Sequence, residues 1–280
     1  MGPLSSFAWT IPWQSGGCKP VSSACAHLSS LRHACRYVRN RAFPRASYAD
    51  DGEDRALGYL LDGVRSFVDV GANDGISSSN TTLAAVHGGR GLCFEPNPAV
   101  FVKLKWFYSL TRRVECVREG LSNVAGSLDL RCDGLLSAMP ITEDKGLSEL
   151  LEEFRQGDPS TVRVPVSRLS DWFLRRPDLL GCDLISIDVE GHELNVLRGI
   201  DWSLHAKPGR AFVIETHAMS DGRRVWRHRD YDEIDFLLKE RGYLKTAASR
   251  NNTIWLHREE WNGVRLAKTR GVFPAYVWFD

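Results

Sequence analysis

The residues best suited to chemistry are two acids, Asp69 and Glu95, and the glycine turn between them. Phe67-Val68-Asp69-Val70 is a β-rich run that ends in Gly71-Ala72-Asn73-Asp74-Gly75. Glu95 closes the next short apolar run, 20 residues after Gly75. A glycine turn between strand and helix lets backbone N–H groups approach a ligand, and an acid at the next strand's tip can hold a ribose diol. Two details set the ligand class. Asn73 stands where a pyrophosphate-binding turn has its middle glycine, and Asp69 stands two residues before Gly71, where a dinucleotide site has an apolar residue. A carboxylate there suits a ligand with a positive head better than phosphate. The bland alternative is a tight turn whose Asp69 caps the next helix.

Three linked motifs carry a family resemblance: Val68-Asp69-Val70-Gly71-Ala72-Asn73-Asp74-Gly75 with Ser79-Asn80-Thr81, then Gly91-Leu92-Cys93-Phe94-Glu95-Pro96-Asn97-Pro98, then Ile187-Asp188-Val189-Glu190-Gly191-His192-Glu193. In this order, from about residue 52 to 258, the chain resembles the FkbM family of S-adenosylmethionine-dependent methyltransferases. The resemblance implies an α/β class I methyltransferase fold, Rossmann-like and doubly wound, with seven strands and the last antiparallel. It implies O-methylation of a hydroxyl on a sugar or natural product. It assigns Asp69, Gly71, Ala72 and Asn73 to the methionine part of the cofactor and Glu95 to the ribose, with Gly75 and Pro96 also in the cofactor site. Glu119 and Ser122 fall near the adenine, and Asn80 and Thr81 at the start of the first crossover helix. The family often has Lys where this chain has Ser186.

Methyl transfer to oxygen needs alignment, dry surroundings and a base for the acceptor proton. The base is expected at a strand tip, where Asp188 and Glu190 precede His192, and Glu215 precedes His217. His217 is the preferred candidate, since an ordinary imidazole titrates near neutrality. His192 competes, although a helix N-terminus disfavours its protonated form. Asp188 and Glu190 have three roles open to them: orienting the acceptor, capping the helix at His192, or binding a divalent cation such as Mg²⁺ together with Glu215. The metal is permitted rather than favoured. Arg223, Arg224, Arg227, His228 and Arg229 form a basic loop around Trp226, either a lid over the acceptor or a solvated surface.

These residues need a wound sheet to bring them together. Apolar runs at 65–70, 91–95, 114–118, 183–188 and 211–215 alternate with helical spacing at 54–61, 80–87, 98–110 and 192–197, as parallel strands with crossovers require. A helix at 231–241 precedes two closely spaced and therefore antiparallel strands, 243–247 and 253–258. Residues 120–171 form an insertion, with strands at 127–132 and 162–166, a loop around Pro140 and an acidic helix at 147–154.

The 280 residues carry a net charge of +1, unevenly spread. The first 49 hold six basic residues and no acid, leaving 30 basic against 35 acidic in the rest. Residues 1–48 therefore read as a peripheral or targeting extension with a short basic helix at 30–40, and 49–280 as the methyltransferase domain. Deleting 1–48 is expected to spare cofactor binding. Seven cysteines without a CxxC pair suggest neither a zinc knuckle nor a disulfide framework. The expected partner is a small-molecule or glycan acceptor, with no nucleic acid and no membrane span, in the cytoplasm or in an organelle if the extension is a transit peptide. Oligomeric state is open. The competing classes are an NAD(P)-dependent oxidoreductase and a non-catalytic module that kept the fold.

Overall fold

A computed structural model describes residues 23–133, 136–138, 160–220, 223–264 and 276–279. Two helices lead the chain, α1 (Ser23–Ala42) and α2 (Glu53–Leu60), followed by β1 (Ser66–Val70), α3 (Thr82–Val86), β2 (Arg90–Phe94), α4 (Pro98–Phe107) and β3 (Val114–Val117). After the insertion come α5 (Leu169–Arg175), β8 (Cys182–Ile187), α6 (Glu193–Arg198) and β9 (Gly209–Glu215). The chain closes with α7 (Tyr231–Glu240), β12 (Tyr243–Ala248), β13 (Asn252–His257) and a short β14 (Val277–Trp278).

The main sheet has the order β14-β12-β13-β9-β8-β1-β2-β3. β3, β2, β1, β8 and β9 are parallel, and β13 runs antiparallel between β9 and β12. This is the class I methyltransferase arrangement, with the two-residue β14 as an eighth, edge strand. β1 and β8 are buried on both faces, hence their nearly unbroken apolar runs. One face packs on α1–α4 through Phe67, Leu57, Ala85 and Phe107, and the other on α5–α7 through Val68, Phe173, Leu197 and Leu238. The strand order reverses between β1 and β8, so the crevice for a ligand opens beyond their carboxyl ends.

The insertion folds as a second sheet from β4 (Gly120–Leu121), β5 (Gly126–Asp133), β6 (Leu136–Ala138) and β7 (Ser160–Ser167), in the order β4-β7-β5-β6. Its expected strands at 127–132 and 162–166 pair with each other. The expected Pro140 loop and the helix at 147–154 lie outside the described residues. The basic stretch expected as a loop is instead an antiparallel hairpin, β10 (His217–Ser220) with β11 (Arg223–Arg227). Asp221-Gly222, a strong two-residue hairpin signal, stands between its strands in the sequence.

The boundary drawn at residue 48 cuts through packed structure. Tyr37 is buried edge-on against Phe107 and Tyr108, at 5.5 and 5.7 Å between ring centres, and its hydroxyl donates to the Ala85 carbonyl. Arg41 donates to the Val86 carbonyl, and the Tyr48 hydroxyl donates to Asn40. The Tyr48 carbonyl in turn accepts from Ser79, on the wall of the crevice. Residues 32–48 thus belong to the fold, and their removal reaches the cofactor side. Tyr37→Ala should destabilise the full chain by about 3 kcal/mol in urea unfolding, as expected for a deleted core aromatic ring. A change within error would return α1 to the periphery.

Candidate active site

The crevice holds a cavity of about 350 Å³, walled by the tips of β1, β2, β8 and β9. Its geometry begins at Gly71. The residue has φ +86°, and a Cβ there would lie 1.7 Å from the Asp188 carbonyl oxygen. Only glycine allows the tips of β1 and β8 to approach this closely. Gly71 and Ala72 donate their N–H groups to the Phe94 carbonyl, which folds the turn over β2. Gly75, at φ +80°, packs under Leu104, Phe107 and Tyr108 and supports the turn from below.

Glu95 is buried and accepts two backbone N–H bonds, from Asn73 at 3.0 Å and Asn97 at 2.8 Å. Asp69 is also buried and accepts from the Thr81 hydroxyl at 2.5 Å. Burial pushes the Glu95 carboxyl up to about 7 and the Asp69 carboxyl up to about 6. The amide oxygens of Asn73 and Asn80 are buried on the wall with no hydrogen-bond partner. Unpaired buried acceptors of this kind call for a donor from a ligand.

A second acidic group faces the first. Asp188, Glu190 and Glu215 line the cavity, each with one oxygen within 4.8 Å of the others. That spacing suits a divalent cation, and a proton between two of the carboxyls can do the same screening. Burial and mutual repulsion hold all three well above the usual carboxylate range. Asp50 and Glu119 complete a lining of seven acids, and among the described residues no Lys, Arg or His takes part in it. Such a cavity attracts cations and repels phosphate.

Of the residues expected at the site, Asp69, Gly71, Ala72, Asn73, Asn80, Glu95, Pro96, Glu119, Asp188 and Glu190 line the cavity. Thr81 stands behind the wall and holds Asp69; Gly75 supports the turn. Ser122 and His192 lie off the wall and bond each other at 3.0 Å. Burial lowers the His192 pKa, which keeps its ring neutral. His217 is the main correction. It does not line the cavity, and its ring contacts the Thr216 hydroxyl at 2.9 Å and the Ser249 carbonyl at 2.9 Å. A ring nitrogen facing a carbonyl must carry the proton, so His217 pins a loop instead of accepting a proton from substrate.

Sequence reading passed over the pair that positions the second group. Glu193 is fully buried; one oxygen accepts the N–H groups of Val189 and Gly191, and the other lies 2.6 Å from Nε2 of buried His228. The Asp230 N–H donates to Nδ1 of His228, so Nε2 bears the hydrogen that meets Glu193. This clamp fixes the loop where Glu190 adopts φ +54°, a left-handed conformation that costs of order 1 kcal/mol. The partners are 35 residues apart, with no local signal joining them.

The acids carry a pH signature. Their folded-state pKa values lie above the unfolded ones, so between the two the folded state holds protons that the unfolded chain has lost. Stability of the ligand-free protein therefore falls as pH rises from about 4 toward 8. Glu215→Gln, which removes one crowded charge, should raise the melting temperature more at pH 8 than at pH 5. An equal shift at both pH values would show that the cluster is not repulsive.

Comparison with known proteins accords with the geometry. Residues 69–245 match the family model of the Methyltransferase FkbM domain. Methyltransferase sdnD of Sordaria araneosa is 30% identical over 197 residues, covering 63% of this chain and 72% of that one. Methyltransferase 1 of Beauveria bassiana (strain ARSEF 2860) is 30% identical over 131 residues, 40% of this chain and 51% of its own length. Among solved structures, the methyltransferase FkbM of Methylobacillus flagellatus KT is 18% identical with a TM-score of 0.42, over 69% of this chain and 44% of that chain. This chain belongs to the FkbM methyltransferase family.

Proposed function

We propose that the protein transfers the methyl group of S-adenosylmethionine to a hydroxyl of a small-molecule acceptor, a sugar or natural product, with a carboxylate of the Asp188, Glu190 and Glu215 group as base. The carrying observation is the cavity lining of seven acids, with no cationic side chain among the described residues. When bound, S-adenosylmethionine supplies an electrophilic methyl on a positively charged sulfur. The residues fit it: Asp69 and the orphaned amide oxygens of Asn73 and Asn80 face donors and positive charge, and Glu95 faces a diol. Glu119 lies on the wall where the adenine is expected.

The chain's own part in the reaction is positioning and proton transfer. Phe94, Val100, Leu121 and Leu130 dry the wall, and Leu130 comes from the second sheet, which ties the insertion to the acceptor side. A carboxylate held above its usual range is matched to take a hydroxyl proton near neutrality. Glu190 lines the cavity with an oxygen within 4.8 Å of Asp188 and Glu215, and it is the member of the group that we assign to take that proton. The reaction is written without a metal, and transfer should survive a chelator. The oxidoreductase reading has no place for a pyrophosphate among seven acids.

Calorimetry at pH 7.5 should show binding of S-adenosylmethionine and S-adenosylhomocysteine and none of NADH; binding of NADH alone would sink the proposal. Labelled methyl transfer into a metabolite extract identifies the acceptor. With that acceptor, Glu190→Gln should lower turnover by about 10²–10⁴-fold with cofactor affinity retained. His217→Ala should stay near wild type. The reverse pattern would restore the histidine as base.

A further inference from the structure

We propose that the outer face of α1 and α4 docks the protein on an anionic lipid surface. Inward, α1 buries Ala34 and Tyr37 on the domain. Outward it shows Arg32, Arg36 and Arg39 beside Val38, 51% exposed, with Phe43, 80% exposed, just past its end. On α4, the helix that holds Tyr37, the same mixture recurs: Val102 and Trp106 are 51% and 37% exposed one turn apart, and Leu110, 62% exposed, follows the end of the helix. Lys105 is exposed beside Trp106, and Arg112 and Arg113 follow.

The charge is one-signed. Residues 23–49 and 96–114 contain no acid. Among the described residues, Arg32, Arg36, Arg39, Lys105, Arg112 and Arg113 form no ion pair with a carboxylate. The positive field continues past Arg113. Its carbonyl accepts from Gly91, and the Arg65 carbonyl accepts from Arg90, so the three arginines stand in a row at the amino ends of β1, β2 and β3, around an open groove. Acids line the cavity at the carboxyl ends of the strands, whereas the groove on this side is lined, among the described residues, by three arginines and one acid, Asp54.

The possible occupants differ in charge. A second copy would set arginine against arginine. Residues 1–22 carry one lysine and no acid, so they cannot neutralise the face either. An anionic partner is required, and exposed Val, Leu, Phe and Trp among the basic groups suit the headgroup and acyl boundary of a bilayer, where apolar side chains insert while cations meet lipid phosphates and carboxylates. Duplex nucleic acid matches the charge but offers little to three aliphatic or aromatic side chains in a row.

The test is sedimentation of the full chain with phosphatidylcholine vesicles, with and without about 30% phosphatidylserine. Binding to the anionic vesicles should be at least about tenfold stronger and should weaken as salt rises from about 0.1 to 0.5 M. Arg36→Glu/Arg39→Glu should cut it about tenfold or more, and Phe43→Ser/Leu110→Ser should cut it by a similar factor, with melting temperature and S-adenosylhomocysteine affinity unchanged in both. Equal weak binding to both vesicles overturns the proposal. So does vesicle binding that neither variant reduces, or retention by a DNA duplex in place of vesicles. None of these outcomes bears on the methyl-transfer reading, since the four positions lie outside the cavity.

Discussion

Seven carboxylates around about 350 Å³ of space set the condition that the rest of the site must satisfy. Like charges this close oppose folding unless each is hydrogen-bonded, protonated or met by a cation. The structure uses the first means for several of them, and raised pKa values favour the second for the rest. Thr81 donates to Asp69, two backbone N–H groups donate to Glu95, and Ser167 donates to Glu119. The third means is left to the ligand. A cationic cofactor therefore does more than occupy the cavity; it relieves a repulsion that the empty protein carries.

Backbone geometry makes that concentration of charge possible. Six of the acids come from the tips of β1, β2, β3, β8 and β9, and Gly71 lets the two central tips meet, since any side chain there would overlap the Asp188 carbonyl. On the far side, Glu193 and His228 bind the 189–191 loop to the β10–β11 hairpin, so Glu190 is held in a left-handed conformation by groups that never touch the ligand. The insertion contributes Leu130 to the same wall. Its second sheet also reaches the acids, since Ser167 on β7 donates to Glu119.

What could be read from sequence was local. Asp69, Gly71, Asn73 and Glu95 lie within one strand–turn–helix–strand unit, so their spacing alone specified their relation. The same holds for the antiparallel β12 and β13, which are too close in sequence to be parallel. What depended on distant partners was misjudged. An imidazole suits a base by residue type, but the ring of His217 is engaged by Ser249, 32 residues away. The surface that α1 covers through Tyr37, at Phe107 and Tyr108, lies about 70 residues on, so the helix read as an appendage. Glu193 looked like one acid among several because His228 could not be matched to it without coordinates.

The account turns on charge recognition, and S-adenosylmethionine differs from S-adenosylhomocysteine by one methyl and one positive charge. The most direct measurement is the ratio of their affinities between pH 5 and pH 8. Ionisation of the raised carboxylates over that range should make the ratio climb in favour of the sulfonium as pH increases. A ratio that stays flat with pH, or one that favours the neutral thioether throughout, would contradict a cavity organised around carboxylates for a cation.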